Sequence, residues 1–222
     1  MSKRCSSDAP PVSRDAERSA PSPALRSASR LTDGVVQTVI VLAAVAVALV
    51  SACPYHSGAN DASRLATVES LVDYHTLAID QSRWFADAAC DKIKVPGCPY
   101  YSDKPPTLAL LLALPYFALH EAFGFRAAAH EEVFYYLEAL LCSGLAYVAA
   151  VWCVYRLGRT VGLSPGWAAA LTASFGLATV APVYTRNVNS NLPTLAAALA
   201  VLLNLAALER PGVRVVGRLL LI

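Results

Sequence analysis

Charged side chains are scarce in this chain of 222 residues. Asp, Glu, Lys and Arg together make up 15% of it, while 56% of the residues are hydrophobic. That proportion is too apolar for an ordinary soluble domain. Neither sign of charge dominates, because 18 basic and 16 acidic residues leave a formal net charge of +2. The composition therefore gives no support for nucleic acid as a partner, which would favour an excess of basic residues.

Cysteine is also sparse where a disulfide could form. Of the six cysteines, Cys142 and Cys153 lie in apolar runs, where no oxidising compartment reaches them. Cys90 and Cys98 flank a short polar loop and are the pair that could be bridged. The sequence leaves this bridge open, because spacing alone does not supply the geometry that a disulfide demands.

Long apolar runs are what the chain does contain, and a helix of roughly 20 such residues crosses a bilayer. These runs predict an all-α, polytopic transmembrane protein. The predicted spans are 34–53, 132–155, 166–185 and 192–208, and a further one starts at 215. Because the chain stops inside this last run, at Ile222, we expect it to be a truncated or partial sequence.

The first 33 residues form a polar head rich in Ser, Pro, Ala and Arg. Such a mixture buries too little apolar surface to fold, so residues 1–33 are predicted to be a disordered tail. Positive charge before a first span places that side in the cytoplasm. We therefore predict an integral protein of a bacterial inner or plasma membrane, with a cytoplasmic N-terminus and its site facing the periplasm or exterior.

Residues 54–131 form a long segment that this orientation places outside the cytoplasm. Arg156 and Arg159 follow the next span and belong in the cytoplasm, so the short apolar stretch 107–119 within the segment should not cross. We expect two helices of the segment to lie at the membrane interface, at about 62–79 and 104–122. The alternative is that the stretch is a short true span, which would move Arg156 and Arg159 outside.

Two polar motifs stand out in this outer segment. The first reads Asn60-Asp61-Ala62-Ser63-Arg64, and the second reads Tyr100-Tyr101-Ser102-Asp103-Lys104-Pro105-Pro106. Their order resembles the first extracytoplasmic loop of GT-C-type membrane glycosyltransferases, which include the lipid A aminoarabinose transferase and the protein O-mannosyltransferases. Leu65 stands where a Tyr is usual, and Asp103 where Glu is common. Enzymes of this type extend well beyond the length of this chain.

The resemblance implies transfer of a sugar from a polyprenyl-phosphate carrier to a lipid, glycan or protein acceptor. Asp61 would be the general base, and Arg64 and Lys104 would bind the donor phosphate. Asp103 would orient Lys104 or help to hold a divalent ion such as Mg or Mn. Plainer roles stay open: Asp61 could cap a helix, and the two cations could anchor the segment at anionic headgroups.

A polar turn at residues 186–191 separates two apolar runs and should lie on the same outer face. Asn189 and Asn191 stand in it where some members of the resembled type carry an acid or His. They are candidates for hydrogen bonds to a sugar hydroxyl. Asp91 is interpreted as a solvated loop acid outside the site.

A non-catalytic membrane protein is the competing hypothesis, either a transporter or flippase component or a remnant inactivated by truncation. Transporters tend to carry charged groups at mid-membrane on broken helices. The charges of this chain collect in the outer segment instead, which favours the enzyme.

Overall fold

The computed structural model describes residues 23–208 and is mostly helical, as predicted. Its helices are α1 (Pro23–Ser51), α2 (Ala59–Asp73), α3 (Pro106–Phe123), α4 (Glu131–Ala139), α5 (Leu145–Thr160), α6 (Pro165–Leu177), α7 (Ala181–Tyr184) and α8 (Asn191–Leu208). A small antiparallel hairpin, β1 (Lys92–Lys94) and β2 (Tyr100–Ser102), lies between α2 and α3. Residues 1–22 and the predicted span start at 215 lie outside the described residues.

Within residues 23–208, four helices are long and apolar enough to cross a membrane. They are Leu31–Ser51, Pro106–Phe123, Glu131–Thr160 and Asn191–Leu208. Three of them overlap spans that the sequence predicts. The fourth is α3, for which the sequence predicts an interfacial position; length and composition alone would allow it to span.

The beginning of α1 corrects one boundary. This helix begins at Pro23, inside the segment 1–33 that was predicted to be disordered. Proline suits a first helical position, and the Ala, Leu and Arg residues that follow are good helix formers. A helix nucleated in the apolar run can therefore extend back through this polar sequence.

Two ends of the bundle can be told apart by its hydrogen bonds. At one end the Tyr136 hydroxyl donates to the Leu49 carbonyl over 2.8 Å, and the Cys53 N–H donates to the Arg186 carbonyl over 3.4 Å. We call this the Asp61 end. At the other end, Arg156 donates to the Gln37 side chain over 3.4 Å. Arg156 therefore lies level with Gln37 of α1, and the side of the membrane that this end faces stays a prediction.

Of the predicted spans 132–155 and 166–185, the first is one continuous helix and the second is not. The first is continuous from Glu131 to Thr160 and contains a π-helical turn at Leu140–Gly144. The second breaks after Leu177 and resumes as the short helix α7. Pro182 explains the break, because it has no N–H to donate to the preceding turn.

The helices of the outer segment differ from the expected surface helices. α2 ends at Asp73 instead of about 79, and most of its residues are buried, including Arg64 and Glu69. Its polar side packs against the rest of the segment and does not face solvent. α3 lies beside α2, with Tyr116 and His120 both next to Asp73 at 2.8 and 3.3 Å. A position for either helix at a membrane interface stays a prediction.

The register of the hairpin bears on the possible disulfide between Cys90 and Cys98. Lys92 pairs with Ser102 and Lys94 with Tyr100, so Cys98 lies in the turn while Cys90 precedes the far end of β1. A disulfide requires Cα atoms within about 7 Å of one another. This register separates the two cysteines, and both are free and exposed.

Candidate functional site

The first turn of α2 holds Asp61 in a buried position. Gly58 precedes the helix, and the Asp61 carboxylate reaches back to Ser57, accepting from its N–H over 3.3 Å and its hydroxyl over 3.0 Å. Tyr135 of α4 donates a third hydrogen bond to the same oxygen, Oδ2, over 3.0 Å. Asp61 is 4% exposed. Among the described residues every hydrogen bond to this carboxylate ends on Oδ2, so Oδ1 keeps the capacity to accept a proton.

These contacts bear on the alternative role of Asp61 as a helix cap. Its carboxylate does hold the chain that enters α2, in the manner of an acid in a first helical turn. The contact with Tyr135 goes beyond capping, because it connects α2 to a helix 74 residues away in sequence. Capping and a chemical role are compatible in this geometry.

Arg64 follows one turn later and is 6% exposed. Its guanidinium donates to the Asn60 carbonyl over 3.2 Å, to the Asn60 side chain, and to the Ser190 hydroxyl over 3.5 Å. The buried Nε of Arg64 has no hydrogen-bond partner within the described chain. A buried guanidinium without a carboxylate partner retains attraction for an anion.

An apolar groove begins at Arg64 and passes between α3 and α8. It has a volume of about 400 Å³. It is lined by Arg64, Pro105, Thr107, Leu108, Leu111, Ser190, Pro193, Thr194 and Ala197. A second cavity of about 500 Å³ shares Leu108, Leu111 and Pro193 with it and extends along the π-helical turn at Leu140–Gly144 and α5. We call the two together the α3–α8 groove; it combines one cation at its end with apolar walls.

Lys104 lies in a different environment. Its ammonium is 3.1 Å from Asp91 Oδ2 and 3.1 Å from Asp103 Oδ1. Partial burial would lower the pKa of Lys104, but the hydrogen bonds and negative charges of Asp103 and Asp91 outweigh it and raise the pKa above its ordinary value. Two carboxylates therefore already neutralise the lysine expected to bind the donor phosphate.

Asp91 is a residue that the sequence interpretation placed outside the site. It pairs with Lys104, and its carbonyl accepts from the Ser63 hydroxyl over 2.5 Å. Ser63 also lies 2.6 Å from the Ser102 hydroxyl. These bonds fix the start of α2, and with it Asp61 and Arg64, against the Asp103-Lys104 motif. The small side chains of Ser63 and Ser102 make this close approach possible.

Asp103 contacts Lys104, and the alternative that it supports a divalent ion would require Lys104 to move away. The Lys104 ammonium occupies the position between the two carboxylates. No group of three or more His, Cys, Asp or Glu side chains in residues 23–208 could hold a metal ion.

Comparison of the chain with protein-family models, curated proteins and solved structures finds no match. The chemistry of the site must therefore be argued from its own residues.

The polar turn before α8 has a structural role at Asn189. Its amide donates to the carbonyls of Tyr184 and Asn187 over 3.0 and 3.1 Å, and its oxygen accepts from the N–H of Asn191 over 2.9 Å. Asn189 is thus committed to shaping the turn and capping α8, which does not favour the predicted contact with a sugar. The Asn191 side chain is exposed at the start of α8.

Tyr135 and Ser190 are site residues that the sequence interpretation did not single out. Ser190 belongs to a turn whose unusual polarity was noticed, so composition did carry some signal for it. Tyr135 lies in an apolar run rich in aromatic residues, and nothing local marks it as the partner of Asp61. Only the packing of α4 against α2 brings the two together.

Proposed function

We propose that this chain is the N-terminal part of a membrane glycosyltransferase of the GT-C type, which transfers a sugar from a polyprenyl-phosphate donor on the extracytoplasmic side. The observation that carries the proposal is the buried guanidinium of Arg64 at the end of the α3–α8 groove. An amphiphile with an apolar chain and an anionic head is the ligand that fits this combination. A phosphorylated isoprenoid has that chemistry.

Asp61 provides the second element of the proposal. It precedes Arg64 by three residues on α2, so a bound phosphate at Arg64 would bring its sugar close to the Asp61 carboxylate. Oδ2 is held by three donors, which fixes the orientation of the carboxylate. Oδ1 can then receive the proton of an acceptor hydroxyl as that hydroxyl attacks the anomeric carbon.

Arg64 supplies the complementary contribution at the leaving group. As the bond between the anomeric carbon and the phosphate breaks, negative charge grows on the departing phosphate. A fixed, partly desolvated guanidinium stabilises that charge more in the transition state than in the ground state. Lys104 would join it only by exchanging one of its carboxylates for the phosphate.

Lipid binding by the purified chain in detergent tests the donor site. We expect undecaprenyl phosphate to bind more tightly than undecaprenol, and Arg64→Gln to weaken the phosphate-bearing lipid by about tenfold while leaving undecaprenol unchanged. Arg156→Gln is the matched control, because Arg156 is exposed at the other end of the bundle. Equal binding of the two lipids, or equal behaviour of the two variants, would reject the donor site.

A further inference from the structure

Glu138 of α4 is a buried acid that the proposed reaction does not use. It is 2% exposed, and its Oε2 has no hydrogen-bond partner within the described residues. The other two buried acids of that region have protein donors on one oxygen: Asp61 accepts three hydrogen bonds on Oδ2 and Glu69 accepts two on Oε2, although Glu69 Oε1 has no partner either within the described residues. A buried carboxyl without a donor costs free energy, so its retention calls for an explanation.

The position of Glu138 on α4 points it toward the candidate site. Tyr135, Glu138 and Cys142 follow one another at spacings of three and four residues, which places them on one face of the helix. Tyr135 contacts Asp61 at 3.0 Å, and Cys142 donates to the Asn189 carbonyl over 3.2 Å. Glu138 lies between these two contacts, on the face turned to α2 and the 187–190 turn.

Arg64 and the π-helical turn define the surroundings of Glu138 further. Arg64 Nε and Glu138 Oε2 are both buried without a hydrogen-bond partner within the described residues, so these two side chains do not neutralise each other. The π-helical turn at Leu140–Gly144 begins two residues after Glu138. Such turns interrupt the regular ladder of helix hydrogen bonds and often occur at functional sites.

We infer that Glu138 is the sugar-recognition residue of the donor site, and that its carboxyl oxygen accepts a hydrogen bond from a hydroxyl or ammonium group of the transferred sugar. This inference rests on the proposed function. The ligand would supply the donor that the protein does not. Arg64 would then hold the phosphate, Asp61 would face the acceptor, and Glu138 would contact the sugar between them.

Binding measurements on the full chain separate this inference from the donor site itself. The probes are bare undecaprenyl phosphate and undecaprenyl phosphates carrying a neutral hexose, an N-acetylhexosamine or an amino sugar. We expect the wild-type chain to bind at least one glycosylated lipid more tightly than the bare carrier. Glu138→Met, which keeps the length of the side chain but has no oxygen to accept a hydrogen bond, should lose roughly tenfold of that affinity while binding the bare carrier as before.

Glu132→Met is the matched control, because Glu132 is an exposed acid on the same helix. It should change neither affinity. Thermal unfolding provides a second readout: since Glu138 has no protein donor to lose, Glu138→Met should leave the unfolding midpoint unchanged or raise it. A lower midpoint than that of Glu132→Met would assign Glu138 a structural role and overturn the inference.

The remaining outcomes are equally decisive. If Glu138→Met keeps the full preference for a glycosylated lipid, or if the wild-type chain binds no glycosylated lipid better than the bare carrier, the inference is rejected while the donor site stands. If the wild-type chain does not bind bare undecaprenyl phosphate either, the proposed function fails and the inference fails with it.

Discussion

Two cations of segment 54–131, Arg64 and Lys104, differ in whether a protein carboxylate neutralises their charge. Lys104 lies between Asp91 and Asp103, so its charge is neutralised by the protein. Within residues 23–208, Arg64 bonds only neutral oxygens, from Asn60 and Ser190, and its buried Nε has no partner. The first arrangement serves the fold. The second leaves electrostatic attraction for a ligand.

The same contrast separates the acids of the region. Asp91 and Asp103 are bound to a cation, whereas Asp61 receives neutral donors on a single oxygen. Identical residue types in neighbouring motifs can therefore have different functions, and the sequence motif alone does not distinguish them. What distinguishes them is which partner the tertiary packing supplies.

Loss of the Asp61 carboxylate is expected to have the largest effect. Asp61→Asn should lower sugar transfer by the full-length protein by roughly 10²- to 10⁴-fold, because an amide cannot take the acceptor's proton. Its amount in membranes should not change. Transfer is measured with membranes and a glycosylated polyprenyl-phosphate donor.

Glu121→Gln, at an exposed acid near the end of α3, serves as the control for Asp61→Asn. It should retain full transfer. Retained transfer in Asp61→Asn would exclude this residue as the base. Lipid binding without any transfer by the wild-type protein would instead favour the competing hypothesis of a non-catalytic transporter or flippase component.

Substitution of Lys104 tests whether a neutralised cation contributes to phosphate binding. Lys104→Gln should weaken undecaprenyl phosphate binding by less than about threefold, against about tenfold for Arg64→Gln, because Asp91 and Asp103 already neutralise it. Lys94→Gln on the hairpin is the control for a loss of positive charge. An effect as large as that of Arg64→Gln would show that Lys104 leaves its carboxylates to bind phosphate.

Tyr135→Phe tests the orientation of Asp61 without removing the carboxylate. Loss of one hydrogen bond should lower kcat by about three- to tenfold with little change in KM, since the hydroxyl touches the base and not the lipid. Tyr136→Phe removes a neighbouring hydroxyl that bonds the Leu49 carbonyl instead, and it should leave kcat unchanged. A rise in KM alone in Tyr135→Phe would contradict the positioning role.

Much of the helical fold could be predicted from the sequence, because long apolar runs are favourable only as helices when they are not exposed to water. Boundaries were less predictable. The break after Leu177 depends on a single residue, Pro182, and α1 reaches back to Pro23 through a polar sequence that resembles a flexible tail. At the first boundary an apolar composition favours a continuous helix, but Pro182 lacks the N–H that the helix needs. At the second a polar composition favours a flexible tail, but helical hydrogen bonding continues from the apolar run.

The site could be predicted only in part. Asp61, Arg64, Asp103 and Lys104 stand in recognisable motifs, but their partners come from distant positions. Asp91 meets Lys104 because the hairpin register folds the chain back, and Tyr135 meets Asp61 through helix packing. Such contacts leave no local pattern, so the sequence does not predict the pairing of Asp91 with Lys104 or the bonds by which Asn189 shapes its turn.

The smallest expected effect concerns Glu69, an acid on the same helix as Asp61 but away from the groove. Burial raises its pKa above the ordinary 4.5, against the opposing effect of hydrogen bonds from Ser82 and Arg83. A raised pKa in the folded state means that Glu69 favours folding most below pH 4.5 and loses that contribution as pH rises through its folded pKa.

Glu69→Gln should therefore raise the thermal unfolding midpoint at neutral pH slightly, and the gain should vanish below pH 4.5, where the wild-type side chain is protonated as well. The glutamine oxygen can still accept from Ser82 and Arg83, so the local structure should persist. Undecaprenyl phosphate binding should not change, because this carboxylate does not line the groove. A change in the unfolding midpoint that does not depend on pH would mean that packing, and not ionisation, determines the effect of Glu69→Gln. Altered lipid binding would mean that Glu69 and Arg64 are coupled through α2, and that the carboxylate also influences the phosphate site.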